Sequence, residues 1–239
     1  MSSAEPLSET VDLMPGVKGY LAKPATEPAP GVIVLMEAYG LNDFVRRVCN
    51  QFAKQGYAAI APDIYHGDTF AYSDREGAIA RIGKVDDDEV MTEVGRSIDM
   101  LAQRGARGGK VAIVGFCMGG RLAFLANAVH GNRLASSVSF YGGGISPANP
   151  GKRKPLLDRV ADLKAPQLLI NGAKDASIAA DEIGRIASAL AAANKRYSIA
   201  VYPDAPHAFA TDDRESYREA AAKAAWRTAY AFIAEGFAG

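Results

Sequence analysis

The most constraining stretch of the chain is Ala112-Ile113-Val114-Gly115-Phe116-Cys117-Met118-Gly119-Gly120-Arg121-Leu122-Ala123. An apolar, β-branched run ends at a cysteine flanked by Gly115 and Gly119, and a small-residue, helix-compatible run follows at once. The pattern predicts a strand, a turn too tight for ordinary side chains, and a helix. Cys117 then stands in strained backbone at the carboxyl edge of a sheet. The helix beginning at Met118 aims unpaired N–H groups and a positive dipole end at it. Such surroundings favour a thiolate over a thiol and can stabilise an oxyanion.

Around this unit the chain alternates strand and helix patterns. Continuous apolar runs at residues 31–36, 57–62, 110–116, 136–141 and 166–172 predict strands, and residues 196–202 predict one more. Helices are expected over residues 43–55 (capped by Asn42 or Asp43, stopped by Gly56), 86–104, 118–129, 177–193 and 215–237. Residues 10–23 alternate weakly around Pro15-Gly16 and predict a short antiparallel start. Residues 63–86 are rich in Asp, Gly and Arg with little period, which suits a lid or excursion over a site. The expected fold class is α/β, with a mostly parallel central sheet flanked by helices on both faces. No repeat, linker or low-complexity tract divides residues 1–239, so one domain is expected.

Charge narrows the function classes. Lys+Arg 27 balances Asp+Glu 27 and no basic tract occurs, so neither nucleic acid nor a membrane is an expected partner. No apolar run reaches the length of a membrane span. The start Met1-Ser2-Ser3-Ala4-Glu5-Pro6 lacks the features of a leader, so an unprocessed, cytoplasmic protein is expected. The two cysteines, Cys49 and Cys117, are too few for a disulfide framework and form no CxxC pair. No His/Cys/Asp/Glu cluster has metal-ligand spacing, so neither a metal nor a cofactor is expected.

A dinucleotide fingerprint is the first alternative for the glycine turn. Cys117 occupies the position of the glycine that admits a pyrophosphate, and no acid follows from Arg121 to Leu157 to hold a ribose. A structural turn with a buried cysteine is the second, and the residues available as partners weigh against it. A thiol nucleophile needs a base, and the base needs an orienting group. His207 lies directly after the last expected strand, on the same edge as Cys117. Asp175 follows the strand over 166–172 on that edge too, giving the order nucleophile, acid, histidine of the α/β-hydrolase arrangement. Asp204 is a rival acid that could equally form a turn, and Asp181 and Glu182 look like first-turn helix charges. His66 could line the site from the excursion, whereas His130 is expected as a solvated cation at a helix end. Glu37, just beyond the strand over 31–36, suits either a solvent-facing cap or a group that tunes the thiol. In the same arrangement the N–H groups of Ala38 and Met118 would form the oxyanion hole.

These pieces together resemble the dienelactone hydrolase family. The matching stretches are Met36-Glu37-Ala38-Tyr39-Gly40, Ala61-Pro62-Asp63-Ile64-Tyr65, Gly115-Phe116-Cys117-Met118-Gly119-Gly120, Asn171-Gly172-Ala173-Lys174-Asp175 and Pro206-His207-Ala208-Phe209. The resemblance implies an α/β-hydrolase fold, a Cys117–His207–Asp175 triad, a thiol-activating Glu37, and hydrolysis of a small ester or lactone. Relatives acting on the dienelactone hold its carboxylate with two arginines, at positions where this chain has Gly67 and Thr211. Arg75, Arg81 or Lys84 could replace them, and the candidate substrate-binding set is Tyr39, Tyr65, His66, Arg75 and Arg81. The alternatives are a non-catalytic small-molecule binding protein on the same fold and a thiol redox enzyme that pairs Cys117 with Cys49.

Overall fold

A computed structural model describes residues 6–104, 109–146 and 154–238. The chain opens with strands β1 (Leu7–Met14) and β2 (Val17–Lys23), an antiparallel pair whose turn holds Gly16 at φ +79°. Strands β3 (Gly31–Leu35), β4 (Ala58–Pro62), β5 (Val111–Phe116), β6 (Leu134–Phe140), β7 (Gln167–Gly172) and β8 (Tyr197–Tyr202) complete one sheet. Its order is β1-β2-β4-β3-β5-β6-β7-β8, parallel throughout from β4 to β8 and antiparallel at β1–β2 and β2–β4. Every residue of β3 to β7 is buried, which is why those strands read as unbroken apolar runs, while β8 lies at the edge and is half-buried.

Helices cover both faces, as a parallel sheet requires. Helix α1 (Asp43–Lys54) starts at Asn42, whose side chain accepts from the Val45 N–H at 3.2 Å. Helix α6 (Glu219–Ala238) meets α1 through Phe52, Trp226 and Tyr230, and Trp226 packs on Phe116 and Phe140 of the central strands. Helices α3 (Asp87–Gln103) and α4 (Met118–His130) pack together on the opposite face, and α5 (Ala180–Ala192) follows β7.

Two expectations need correction. The segment over 63–86 contains a helix, α2 (Arg75–Ile82), capped by the Asp74 side chain on the Gly77 N–H at 2.9 Å. Only Ala78 of α2 is fully buried; Ile79 is largely exposed, and Ile82 packs against the core while also lining a cavity. A helix of eight residues with so little of it in the core leaves no apolar period to read. His130 is not simply solvated, since its Nε2 contacts the Met91 carbonyl at 2.7 Å and pins α4 to α3. The expected loop over 142–155 lies partly outside the described residues.

Candidate active site

The turn after β5 is as tight as its sequence demands. Cys117 adopts φ +53° and ψ −113°, a region that non-glycine residues avoid, and its N–H is held by the Phe140 carbonyl at 3.0 Å. A Cβ on Gly115 would lie 1.9 Å from the Gly119 carbonyl oxygen, and one on Gly119 would lie 2.3 Å from that of Leu35. Both obstacles are backbone and cannot rotate away. The glycines thus let α4 start directly against β3 and β5, which lifts Cys117 onto the sheet's carboxyl edge. As the first residue of α4, Met118 has an N–H with no intrahelical acceptor.

The loops after β7 and β8 bring Asp175 and His207 to this edge. His207 Nδ1 is 2.7 Å from Asp175 Oδ2, and Asp175 Oδ1 accepts from the Ser177 N–H at 2.8 Å. The Asp175 side chain is fully buried, while His207 retains 23% exposure. The rival acid Asp204 faces solvent and pairs with Lys174 at 2.7 Å. Burial alone would lower the His207 pKa. The Cys117 sulfur and its hydrogen bond, together with Asp175, outweigh burial and raise the pKa to about 10. The ring of Tyr141, just past β6, meets the His207 ring edge-on at 5.3 Å.

Glu37 is no solvent-facing cap, for none of it is exposed. Its Oε2 accepts from Thr211 Oγ1 at 3.4 Å and lies 3.8 Å from Arg214, and the Tyr72 hydroxyl adds to its polar surroundings. Burial raises the Glu37 pKa, while Arg214, Tyr72, His207 and Thr211 work against that rise.

A cavity of about 640 Å³ opens above Cys117. Ala38, Tyr39, Met118 and His207 line it on the sheet side, and Arg75, Ala78, Ile79, Ile82 and Val85 line it from α2 and its flank. Of the expected substrate-binding residues, Tyr39 and Arg75 reach this cavity. Tyr65 does not: buried behind the site, its hydroxyl donates to the Ala38 carbonyl at 3.1 Å and contacts Met118 Sδ at 3.6 Å, so it braces both loops. Arg81 lies beyond Tyr65, stacked on that ring at 4.5 Å and bonded to Asp68 at 3.0 Å. His66 turns to Glu93 at 2.8 Å and is not part of the lining, and neither is Lys84. Gly67 and Thr211 offer no cation, and Thr211 points at Glu37 instead of the cavity.

Two cations of the cavity were missed in the sequence, and one acid near it was read too simply. Arg214 lines the cavity, with its guanidinium 5.3 Å from the centre of the Tyr39 ring and 5.5 Å from that of Tyr72. A cation in the loop following His207 was the available signal. Arg121 is 98% buried, grips Asp87 through two 2.9 Å bonds and also lines the cavity. Glu182 is more than a first-turn charge, because it is buried and accepts from the Gly144 N–H at 3.1 Å and the Ser146 N–H at 3.3 Å. Cys49 is fully buried in α1, with its thiol pKa pushed up by burial. Among the described residues, no group of three or more His, Cys, Asp or Glu could hold a metal ion. No helix among them is long and apolar enough to cross a membrane.

Residues 17–237 match the family model described as the dienelactone hydrolase family. A Yersinia pestis protein named "Putative carboxymethylenebutenolidase" is 38% identical over 213 residues, covering 87% of this chain and 79% of its own. A Bradyrhizobium protein named "Probable 2-oxo-3-(5-oxofuran-2-ylidene)propanoate lactonase" is 32% identical over 219 residues, 90% of this chain and 87% of its own. Among solved structures, a "Putative Dienelactone Hydrolase" from Klebsiella pneumoniae superposes with a TM-score of 0.88 at 34% identity, covering 96% of this chain and 99% of that one.

Proposed function

The chain belongs to the dienelactone hydrolase family and is a hydrolase of ester or lactone bonds, and we propose that it works through a Cys117–His207–Asp175 triad and an acyl-thioester. The observation that carries this reading is the His207 ring, held by Asp175 at 2.7 Å on one side and near enough to Cys117 on the other for the sulfur to raise its pKa. Cys117 Sγ attacks the carbonyl carbon as the thiolate. The resulting oxyanion accepts from the N–H groups of Ala38 and Met118. As the carbon–oxygen bond breaks, the imidazolium of His207 protonates the leaving alkoxide. For a lactone that alkoxide remains tethered, so the acyl-enzyme carries the opened chain. His207 then takes a proton from water, the hydroxide adds to the thioester, and the thiolate departs with release of the acid. Glu37, buried beside Ala38, is the group that acts on the thiol, taking its proton where the thiol is not already ionised.

Arg75 and Arg214 favour a substrate that also bears a carboxylate. They line the same cavity as Cys117, Arg75 from the start of α2 beside the apolar Ala78, Ile79 and Ile82, and Arg214 from the loop after His207. An arginine matches a carboxylate in a bidentate geometry that glycine or threonine cannot offer. The Bradyrhizobium relative, named for a lactone propanoate, is consistent with that preference. No observation favours a redox reading, since Cys49 is buried in α1.

The test is a panel of esters and lactones, with and without a free carboxylate, assayed on wild type, Cys117→Ala, Cys117→Ser and Arg214→Ala. Intact-mass detection of an acyl group on Cys117, loss of nearly all turnover in Cys117→Ala, and a raised KM only for carboxylate substrates in Arg214→Ala are expected. A Cys117→Ala enzyme that keeps most of its activity refutes the mechanism.

A further inference from the structure

Glu37 sits at the inner end of a short buried chain of hydroxyls. Thr211 Oγ1 donates to Glu37 Oε2 at 3.4 Å, and Tyr141 Oη lies 3.2 Å from Thr211 Oγ1. Glu37, Thr211 and Tyr141 are all without exposure. The direction of the chain follows from counting protons. A threonine hydroxyl has one, which is committed to the carboxylate, so the Tyr141 hydroxyl must donate to Thr211. Both protons then point towards Oε2 of Glu37, and the Thr211 bond is strongest when that carboxylate is ionised. Tyr141 is itself fixed, at φ +40° just after β6, with its N–H on the Ile170 carbonyl at 2.7 Å. The second carboxylate oxygen, Oε1, has no hydrogen-bond partner among the described residues. It is the oxygen left with a lone pair to receive a proton.

We propose that Thr211, oriented by Tyr141, is the positioning residue that anchors the Glu37 carboxylate through Oε2 and so leaves Oε1 to receive the thiol's proton. The proposal rests on the reading of Glu37 as the group that acts on Cys117. Thr211 touches no substrate, because it lies behind Glu37 and outside the cavity lining. Its partners around the same carboxylate are Arg214 and His207 from its own loop, Tyr72 from the segment after β4, and Tyr141 from the end of β6. Arg214, Tyr72 and His207 also favour the ionised form, but Thr211 makes the hydrogen bond to Oε2, and Arg214 stands 3.8 Å away, shared with the Tyr39 and Tyr72 rings. Thr211 therefore supplies orientation that a distant charge does not.

The test follows the acylation of Cys117 by p-nitrophenyl acetate, in single turnover, against pH. A hydroxyl lost from a buried carboxylate favours the protonated acid. In Thr211→Val the acid-side inflection assigned to Glu37 should therefore move up by about one pH unit. Thr211→Ser should restore it, and Tyr141→Phe should shift it in the same direction by less. Glu37→Gln separates the two ideas. If the inflection persists unchanged in Glu37→Gln, it belongs to another group and the role of Glu37 falls, taking this proposal with it. If Glu37→Gln abolishes the inflection while Thr211→Val and Tyr141→Phe leave it in place, Thr211 has no positioning role although Glu37 still acts. Should Thr211→Val fail to fold, Tyr141→Phe decides. The infrared carbonyl band of protonated Glu37, identified by its absence in Glu37→Gln, gives a second readout of the same shift.

Discussion

Replacing Asp175 with asparagine distinguishes two ways of keeping the His207 ring charged. Asp175 serves two donors, the His207 ring at 2.7 Å and the Ser177 N–H at 2.8 Å. Asparagine has one acceptor oxygen, so whichever way the amide turns, one donor loses its partner. In a serine triad this exchange costs about 10⁴ in kcat, because the buried carboxylate both sets the tautomer and stabilises the imidazolium as it forms. Here the imidazolium has a second counter-charge. Burial opposes the proton on His207, and the largest influence restoring it is Cys117, ahead of the hydrogen bond that His207 donates to Asp175, with a net pKa of about 10. Once Cys117 has given up its proton, its negative charge shares the task of holding the imidazolium, and Asp175 is left mainly with orientation. A hydrogen bond to a charged group is worth about 1.5–3 kcal/mol, which at about 1.4 kcal/mol per decade is roughly 10–150-fold in rate.

Asp175→Asn should therefore slow acylation by p-nitrophenyl acetate by roughly that 10–150-fold factor, read as the burst rate in stopped flow. The same substitution in the Cys117→Ser background should cost more, towards about 10⁴, since a hydroxyl supplies no standing negative charge. The two backgrounds form a double-mutant cycle with a coupling that depends only on the thiolate. An equal loss in both, or a loss near 10⁴ in the cysteine enzyme, would refute the idea that the thiolate shares the task of Asp175.

Three further outcomes are expected. Gly115→Ala should yield no soluble folded protein, because its Cβ would lie 1.9 Å from the Gly119 carbonyl oxygen; a variant with wild-type circular dichroism and Tm would disprove so close an approach. Tyr65→Phe removes the 3.1 Å bond to the Ala38 carbonyl and should lower kcat by about tenfold with KM nearly unchanged, through a misplaced oxyanion donor; a change confined to KM contradicts that role. His207, raised to about 10 in the folded state from its ordinary 6.5, contributes stability that is complete below the lower value and lost as pH rises through the upper one. The denaturant midpoint should accordingly fall on the alkaline side in wild type and fall less in Cys117→Ala, where the main raising influence is gone. Identical alkaline profiles would show that the thiolate does not hold the proton on His207.

The strands and the backbone-defined part of the site were legible in the sequence, because each carries a signal of its own. A strand buried on both faces must be apolar without interruption, and a residue lifted above a strand-to-helix turn needs glycines where another backbone passes. Asp175 and His207 were legible as the acid and histidine that follow strands on the same edge. The cavity wall was not legible. Ile79 and Ile82 line a cavity and only Ala78 is fully buried, so α2 shows no core-facing stripe. Tyr65, Arg81 and His66 sit beside the site in sequence, yet backbone direction sends them behind it, to Ala38, Asp68 and Glu93. Thr211 and Arg214 show the same limit more sharply. At position 211 the family resemblance leads one to expect an arginine, the chain has threonine, and a comparison position by position stops there. Three residues later the loop passes over Tyr39 and Tyr72 and delivers a guanidinium to the cavity, while Thr211 turns inward to Glu37. The cation in the cavity is thus set by where the loop backbone runs, and Thr211, turned inward, is free to serve the buried carboxylate.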